Sequence, residues 1–389
     1  MAYDFDKIVD RRGSGCFKYD ALKALYSRDD LLSLWVADMD FQVAPCIQTA
    51  MKLRLEHGVF GYNLRMPDYY AAASYWVKKR YGWHVKRDWI VNTPGVVPAI
   101  NLAVLSLTRP DDKILIQTPV YRPFFNAVTD HDRCLLTNPL KLVNGKYQID
   151  QEDFERKIRQ ASLFILCNPH NPVGRVWDEY ELQFMGDLCK RYDVPIVSDE
   201  IHADIIYEGK EFRGLGSLER YLDLTITCIS PAKSFNIAGL SSAVAIIPNH
   251  RMRKSVNDLN EHLHLYMGNS FGIEALKAAY SEGEDWLEEL LAYLESNRNY
   301  LMDYISTNLP MLKMIKPEST YLAWLDFGEL GLDDNALFDF LTNKARVALD
   351  PGRKYGVDGS GFSRLNFGCS KALLMEAMQR LTDAVKEGF

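Results

Sequence analysis

Short apolar runs recur through the middle of the chain, with helical stretches between them. They fall at Ile114 to Gln117, Leu163 to Cys167, Pro195 to Ser198, Leu224 to Ile229 and Ala243 to Pro248. A strand covered on both faces reads as a continuous apolar run, and strands alternating with helices build a mostly parallel sheet with crossover helices. Ligands of such open sheets sit in the crevice beyond the carboxyl ends of the strands. The residues just past each run are therefore the ones to read for chemistry.

Lys233 follows the run ending at Ile229, in Ser230-Pro231-Ala232-Lys233-Ser234-Phe235-Asn236. An amine at that place can form a Schiff base, although a lone lysine is more often a solvated surface group. Two other strand ends and a helix start carry polar groups. Asp199 closes Pro195-Ile196-Val197-Ser198-Asp199, and Asn171 lies in Asn168-Pro169-His170-Asn171-Pro172. The turn Thr93-Pro94-Gly95-Val96-Val97 precedes a helix expected from Val97-Pro98, so the backbone N–H groups there and the helix dipole suit a phosphate. Arg364 stands near the end of the chain, in Ser363-Arg364-Leu365-Asn366.

From Glu284 to Leu309 apolar residues keep helical spacing at Leu287, Leu290, Leu291, Leu294, Leu301 and Ile305, which predicts a helix long enough to bridge two domains. Beyond Pro310 the pattern predicts a strand over Thr320 to Phe327 and a helix around Ala336 to Lys344. The run Arg346 to Leu349 follows, then a strand over Phe362 to Phe367 and a last helix from Lys371. The expected organisation is an N-terminal segment, 1–45, joining a small α+β domain at 284–389, with a large domain at 46–283.

The 389 residues are 47% hydrophobic and 25% charged, which excludes a disordered chain and allows a large core. The net charge of −7 comes with no Lys/Arg run, so no nucleic-acid footprint is visible and small molecules are the expected partners. Seven scattered cysteines form no Cys-x-x-Cys pair and there is no His cluster, which points to reduced thiols and no metal. The N-terminus lacks the apolar centre of a signal peptide and no run is long enough to span a bilayer, so a cytoplasmic location is expected.

The order and spacing of Asn171, Asp199 and Lys233, 28 and 34 positions apart, resemble the fold-type I pyridoxal phosphate (PLP) enzymes of the aminotransferase superfamily. Longer strings are similar to its cystathionine β-lyase or carbon–sulfur lyase branch, the MalY/PatB type. These are Trp35-Val36-Ala37-Asp38-Met39-Asp40-Phe41, Phe60-Gly61-Tyr62, Asn168 to Trp177 and Ser198-Asp199-Glu200-Ile201-His202. The resemblance implies a large α/β domain with a mostly parallel mixed sheet, a smaller α+β domain, and PLP as cofactor.

It also implies roles. Lys233 holds the cofactor and acts as base; Asp199 pairs with the pyridine nitrogen; Asn171 bonds the phenolic oxygen; the Tyr121 ring stacks on the cofactor. Val96, Val97 and Ser230 serve the phosphate, with Tyr62 reaching it from a neighbouring subunit, so a homodimer is implied. His202 lies beside the cofactor or is a buried structural histidine. Arg364 takes the substrate carboxylate, and Asp38 is placed with the substrate near Trp35, Met39 and Asp40. One departure is Ser241, which stands where many aminotransferases carry a phosphate-binding arginine; it favours the lyase branch.

The resulting expectation is α,β-elimination from L-cystathionine or a related cysteine S-conjugate. An aminotransferase uses the same cofactor-holding residues and stays open as an alternative. So does a protein of this fold with an added regulatory role, holding a transcription factor on its surface.

Overall fold

The computed structural model describes residues 3–388. Its central sheet has seven strands: β1 (Ile90–Thr93), β2 (Lys113–Thr118), β3 (Cys134–Pro139), β4 (Leu163–Cys167), β5 (Ile196–Asp199), β6 (Thr225–Ile229) and β7 (Ala243–Ile246). Their spatial order is β1-β7-β6-β5-β4-β2-β3. Strands β3, β2, β4, β5 and β6 run parallel, while β7 lies antiparallel between β6 and β1. This is the mostly parallel mixed sheet expected from the apolar runs.

Every residue of β4, β5, β6 and β7 is buried, which is why these strands stand out as apolar runs. The two edge strands do not. β3 reads Cys-Leu-Leu-Thr-Asn-Pro with most positions partly or fully exposed, and β1 carries Asn92 and Thr93, so neither makes a continuous apolar signal.

A second sheet is antiparallel: β8 (Lys313–Ile315), β9 (Leu322–Asp326), β10 (Asp350–Pro351) and β11 (Phe362–Asn366), in the order β8-β9-β11-β10. Its register sets Arg364 opposite Trp324 on one side and Asp350 on the other. A short parallel pairing of Leu32–Ser33 with Val347–Ala348 lashes the N-terminal segment to this part of the chain. The helix expected over Ala336 to Lys344 is Asp334–Asp339, capped by Asp333; a wider π turn follows, in which Ala345 N–H donates to the Phe340 carbonyl at 2.9 Å.

Among the helices that flank these sheets are α1 (Val96–Leu107), α2 (Arg122–Thr129), α3 (Pro231–Ser234), α4 (Glu284–Asn308) and α5 (Lys371–Glu387). At 25 residues, α4 is about 37 Å long at 1.5 Å per residue. Its apolar stripe enters a continuous core with an aromatic knot at one end. There Phe235 stacks on Trp286 at 6.0 Å and meets Trp76 edge-on at 5.6 Å, while Trp76 stacks on Tyr280 at 5.2 Å. Phe5 of the N-terminal segment packs against Trp286 at 5.7 Å. The knot sits directly behind the turn that carries Lys233. Among the described residues no helix is long and apolar enough to cross a membrane.

Candidate active site

The carboxyl ends of β4, β5 and β6 open into a cavity of about 790 Å³, counting its mouth. Sheet register places Asp199 at its floor, between Cys167 of β4 and Cys228 of β6. The Asp199 carboxylate is buried, and Oδ1 accepts the Ile201 N–H at 3.1 Å. Burial, partly offset by that N–H and the charge of Lys233, pushes its pKa up to about 6.

Lys233 rides on α3. Pro231 suits the first helical position and Ser230 caps the turn, its Oγ accepting the Ala232 N–H at 3.1 Å. At the far end Ser234 Oγ donates to buried Asp204 at 2.6 Å. Asp204 also accepts Trp76 Nε1 at 3.0 Å and the Tyr81 hydroxyl, so the lysine-bearing turn is held at both ends. Lys233 Nζ donates to the Ala37 carbonyl at 2.6 Å. Burial first, then the charge of Arg364, lowers the amine pKa to about 8 against the pull of Asp38 and Asp199.

Asn171 leaves β4 on the same side, and its carbonyl accepts the N–H of Tyr121 at 3.1 Å just before α2. Its Oδ1 accepts from Arg364 Nη1 at 3.1 Å. Arg364 is buried on β11; Nη2 donates to the Trp35 carbonyl at 2.9 Å and lies 3.4 Å from Asp350 Oδ2, and the guanidinium sits 5.2 Å from the Tyr355 ring centre. Its Nε finds no partner among the described residues. His202 is buried edge-on to Tyr321, its Nδ1 without a partner among the described residues. Burial and the neighbouring charges of Lys233 and Arg364 hold its pKa well below the usual histidine range, so the ring is neutral.

At the other end of the cavity Val96 and Val97 open α1, where first-turn N–H groups have no acceptor inside the helix. Ser230, Ser241 and Ser242 line the wall beside them. The Ser230 hydroxyl is already occupied, capping α3 and donating to the Ser242 carbonyl at 2.6 Å. Ser241 holds a left-handed conformation at φ 47°.

The cavity thus gathers Val96, Val97, Tyr121, Asn171, Asp199, His202, Ser230 and Lys233. Arg364 joins it through Asn171. Asp38 lines an adjoining groove instead, paired with Arg11 at 2.6 Å, and Tyr62 is 93% exposed and outside the cavity. Several residues that shape the site escape a reading of the sequence. Tyr321 donates to the same Ala37 carbonyl as Lys233, at 2.9 Å. Asn236 donates to the carbonyls of Met39 and Phe41 at 2.9 and 2.8 Å, and Asn366 to those of Val36 and Asp38. Their acceptors are backbone carbonyls, which leave no residue-type signal; the one visible hint was Asn236, three positions beyond Lys233.

The aminotransferase class I and II family profile matches residues 29–381. Cystathionine β-lyase PatB of Bacillus subtilis strain 168 is 43% identical to this chain, covering 98% of it and 100% of that protein. Protein MalY of Escherichia coli K12 is 34% identical over 99% of both chains. The crystal structure of cystalysin from Treponema denticola, which contains a pyridoxal 5′-phosphate cofactor, matches all of both chains with a TM-score of 0.97 at 34% identity. A seven-stranded mixed sheet with a lysine beyond its sixth strand is the fold-type I architecture, and the chain belongs to the class I and II aminotransferase family.

Proposed function

We propose that the protein is a PLP-dependent carbon–sulfur β-lyase, cleaving L-cystathionine or a related cysteine S-conjugate to a thiol, pyruvate and ammonia. The observation that carries this reading is one cavity holding an amine pushed down to about 8, Lys233, beside a buried carboxylate, Asp199. Similarity to PatB and cystalysin supports the lyase branch.

The residues fit the cofactor. Burial has raised Asp199 toward its neutral form, and a protonated ring nitrogen would supply the cation that restores its charge. The α1 start and the hydroxyls of Ser241 and Ser242 stand where a phosphate is favoured, with Val96 and Val97 offering N–H donors. Asn171 and the Tyr121 ring border the space between, and His202 stays uncharged beside it. When bound there, PLP supplies an electron sink for the substrate carbon that bears the amine.

The chain's own groups do the rest. The planar fork of Arg364 matches a substrate α-carboxylate, and Asn171 and the Trp35 carbonyl keep that fork from turning. As a free amine Lys233 takes the proton from Cα, its lowered pKa suiting it to neutral pH, and the Ala37 carbonyl holds the resulting ammonium. A thiolate leaves readily, the same ammonium returns the proton to sulfur, and water hydrolyses the remaining 2-aminoacrylate to pyruvate and ammonia.

The functional unit in this proposal is a homodimer. Leu53, Leu55, Val59, Phe60, Leu64 and Met66 flank Tyr62 in sequence as exposed apolar side chains, which a second copy would cover while carrying Tyr62 toward its cavity. The proposed division is a large cofactor domain at 46–283, a small domain at 284–389 that brings Arg364, and the segment 1–45 against it.

Incubation with L-cystathionine and no oxo acid tests the reaction. Sustained release of pyruvate is expected. A single stoichiometric turnover that leaves the cofactor aminated would instead make the protein a transaminase.

A further inference from the structure

The end of the cavity at the α1 start is short of positive charge. A phosphate monoester carries about two negative charges at neutral pH, and a helix start offsets roughly half of one. Beside Val96 and Val97 stand only the neutral side chains of Ser230, Ser241 and Ser242. Among the described residues that line the cavity Lys233 is the single lysine or arginine, and the Ala37 carbonyl holds its Nζ. A cation for a phosphate there has to come from behind the wall.

Behind Ser242 lies Tyr69, in the helix Pro67–Tyr81. Its side chain is fully buried, yet its hydroxyl has no hydrogen-bond partner among the described residues. Burial raises the pKa of that hydroxyl, and its polar neighbours Arg65 and Ser242 oppose the rise. Both stand close to it without completing a hydrogen bond. The guanidinium carbon of Arg65 lies 5.5 Å from the centre of the Tyr69 ring, and Nη1 donates to the Tyr266 carbonyl. Gly268, at φ 67°, leaves room for it, since a Cβ there would run into the guanidinium. Arg65 Nε is buried and also lacks a partner among the described residues. Two buried donors are thus left unpaired behind a hydroxyl of the cavity wall, a costly arrangement unless a ligand completes it.

We propose that Arg65, acting through the Tyr69 and Ser242 hydroxyls, supplies the positive charge that holds the phosphate of PLP. Arg65 Nε–H donates to the Tyr69 oxygen, Tyr69 O–H to Ser242 Oγ, and Ser242 O–H to a phosphate oxygen, each donor polarising the next. Arg65 is a positioning residue in this chain, since it touches neither phosphate nor substrate. The inference rests on the phosphate standing at the α1 start and is independent of the lyase reading.

The test is cofactor affinity. Holoenzyme is stripped of PLP, and dissociation constants for PLP and for pyridoxal, which lacks the phosphate, are read from the visible absorption. Arg65→Gln should reduce the preference for PLP over pyridoxal by about tenfold or more, leaving pyridoxal affinity near wild type. Tyr69→Phe should reduce the preference too, and Arg65→Lys should reduce it less than Arg65→Gln. An unaltered preference in Arg65→Gln or in Tyr69→Phe overturns the inference. So does one that falls only in step with molecular mass by light scattering, because loss of a second copy with its Tyr62 would then account for it. Ser242→Ala separates the inference from the reading beneath it. A preference lowered there but not in Arg65→Gln removes Arg65 and leaves the phosphate at the α1 start; one unaltered in both variants overturns that placement as well.

Discussion

Arg364 Nη1 donates to Asn171 Oδ1 at 3.1 Å, which ties β11 of the small sheet to the loop after β4 of the large one. With Oδ1 engaged, the amide has Nδ2 left as its donor. The cation proposed for the substrate thus also orients a residue proposed for the cofactor.

Replacing Arg364 with Ala should lower kcat/KM for L-cystathionine by roughly ten- to a hundredfold, since a hydrogen bond to a charged group contributes about 1.5–3 kcal/mol. The visible absorption of the bound cofactor should survive desalting in this variant. Loss of that absorption as well would show that Arg364 supports the cofactor rather than the substrate.

Cofactor uptake should report the lowered pKa of Lys233. Condensation with an aldehyde needs the neutral amine, and an ordinary lysine reaches it only near about 10.4. With the pKa at about 8, the rate at which cofactor-free protein takes up PLP should rise about tenfold per pH unit below 8 and level off above it. Stopped-flow absorbance across pH 6 to 10 measures this, and a midpoint near 10 would contradict it.

Glu200 is buried behind Asp199, its Oε1 accepting from Ser198 Oγ at 2.8 Å, and burial raises its pKa to about 8. The folded protein therefore holds a proton there that the unfolded chain releases near the ordinary carboxyl value. This contribution is fully present below that value and is lost as pH rises through about 8. Thermal melts should show Glu200→Gln gaining on wild type between pH 5 and 8, and parallel melting curves for the two proteins over that range would refute this.

Gly283, which leads into α4, has no room for a side chain. A Cβ there would stand 2.6 Å from the Ala279 carbonyl oxygen and overlap the Phe235 ring. Gly283→Ala should cost about 1–3 kcal/mol, as overpacking does, read from the urea midpoint. A midpoint unmoved from wild type would mean that the knot around Phe235 yields.

Elements are legible in the sequence where burial is complete and obscure where it is partial. Strands β4 to β7 announce themselves because both faces are buried and most of their residues are apolar, while β3, at the sheet edge, mixes Leu135 and Leu136 with Thr137 and Asn138. Likewise Lys233, Asp199 and Asn171 were legible because they follow such strands. The ties that position them were not. Asp204 anchors the lysine turn through Ser234, yet in sequence it is one acidic residue after His202 and Ala203. Ala37 contributes a carbonyl, which any residue at that position would present. The pairing of Asp38 with Arg11 depends on an N-terminal segment whose route over the surface no local pattern reveals.

The aromatic knot bears on how the molecule can be divided. Trp76, Phe235 and Tyr280 come before residue 283, Trp286 comes after it, and Phe5 belongs to the segment at the start of the chain. A fragment ending at 283 would leave the Phe235 ring without its stacking partner, two residues from the lysine. The proposed division therefore runs through one shared core: dissecting the gene at that boundary would expose part of it, and shuffling halves between relatives would require the knot to travel as a set.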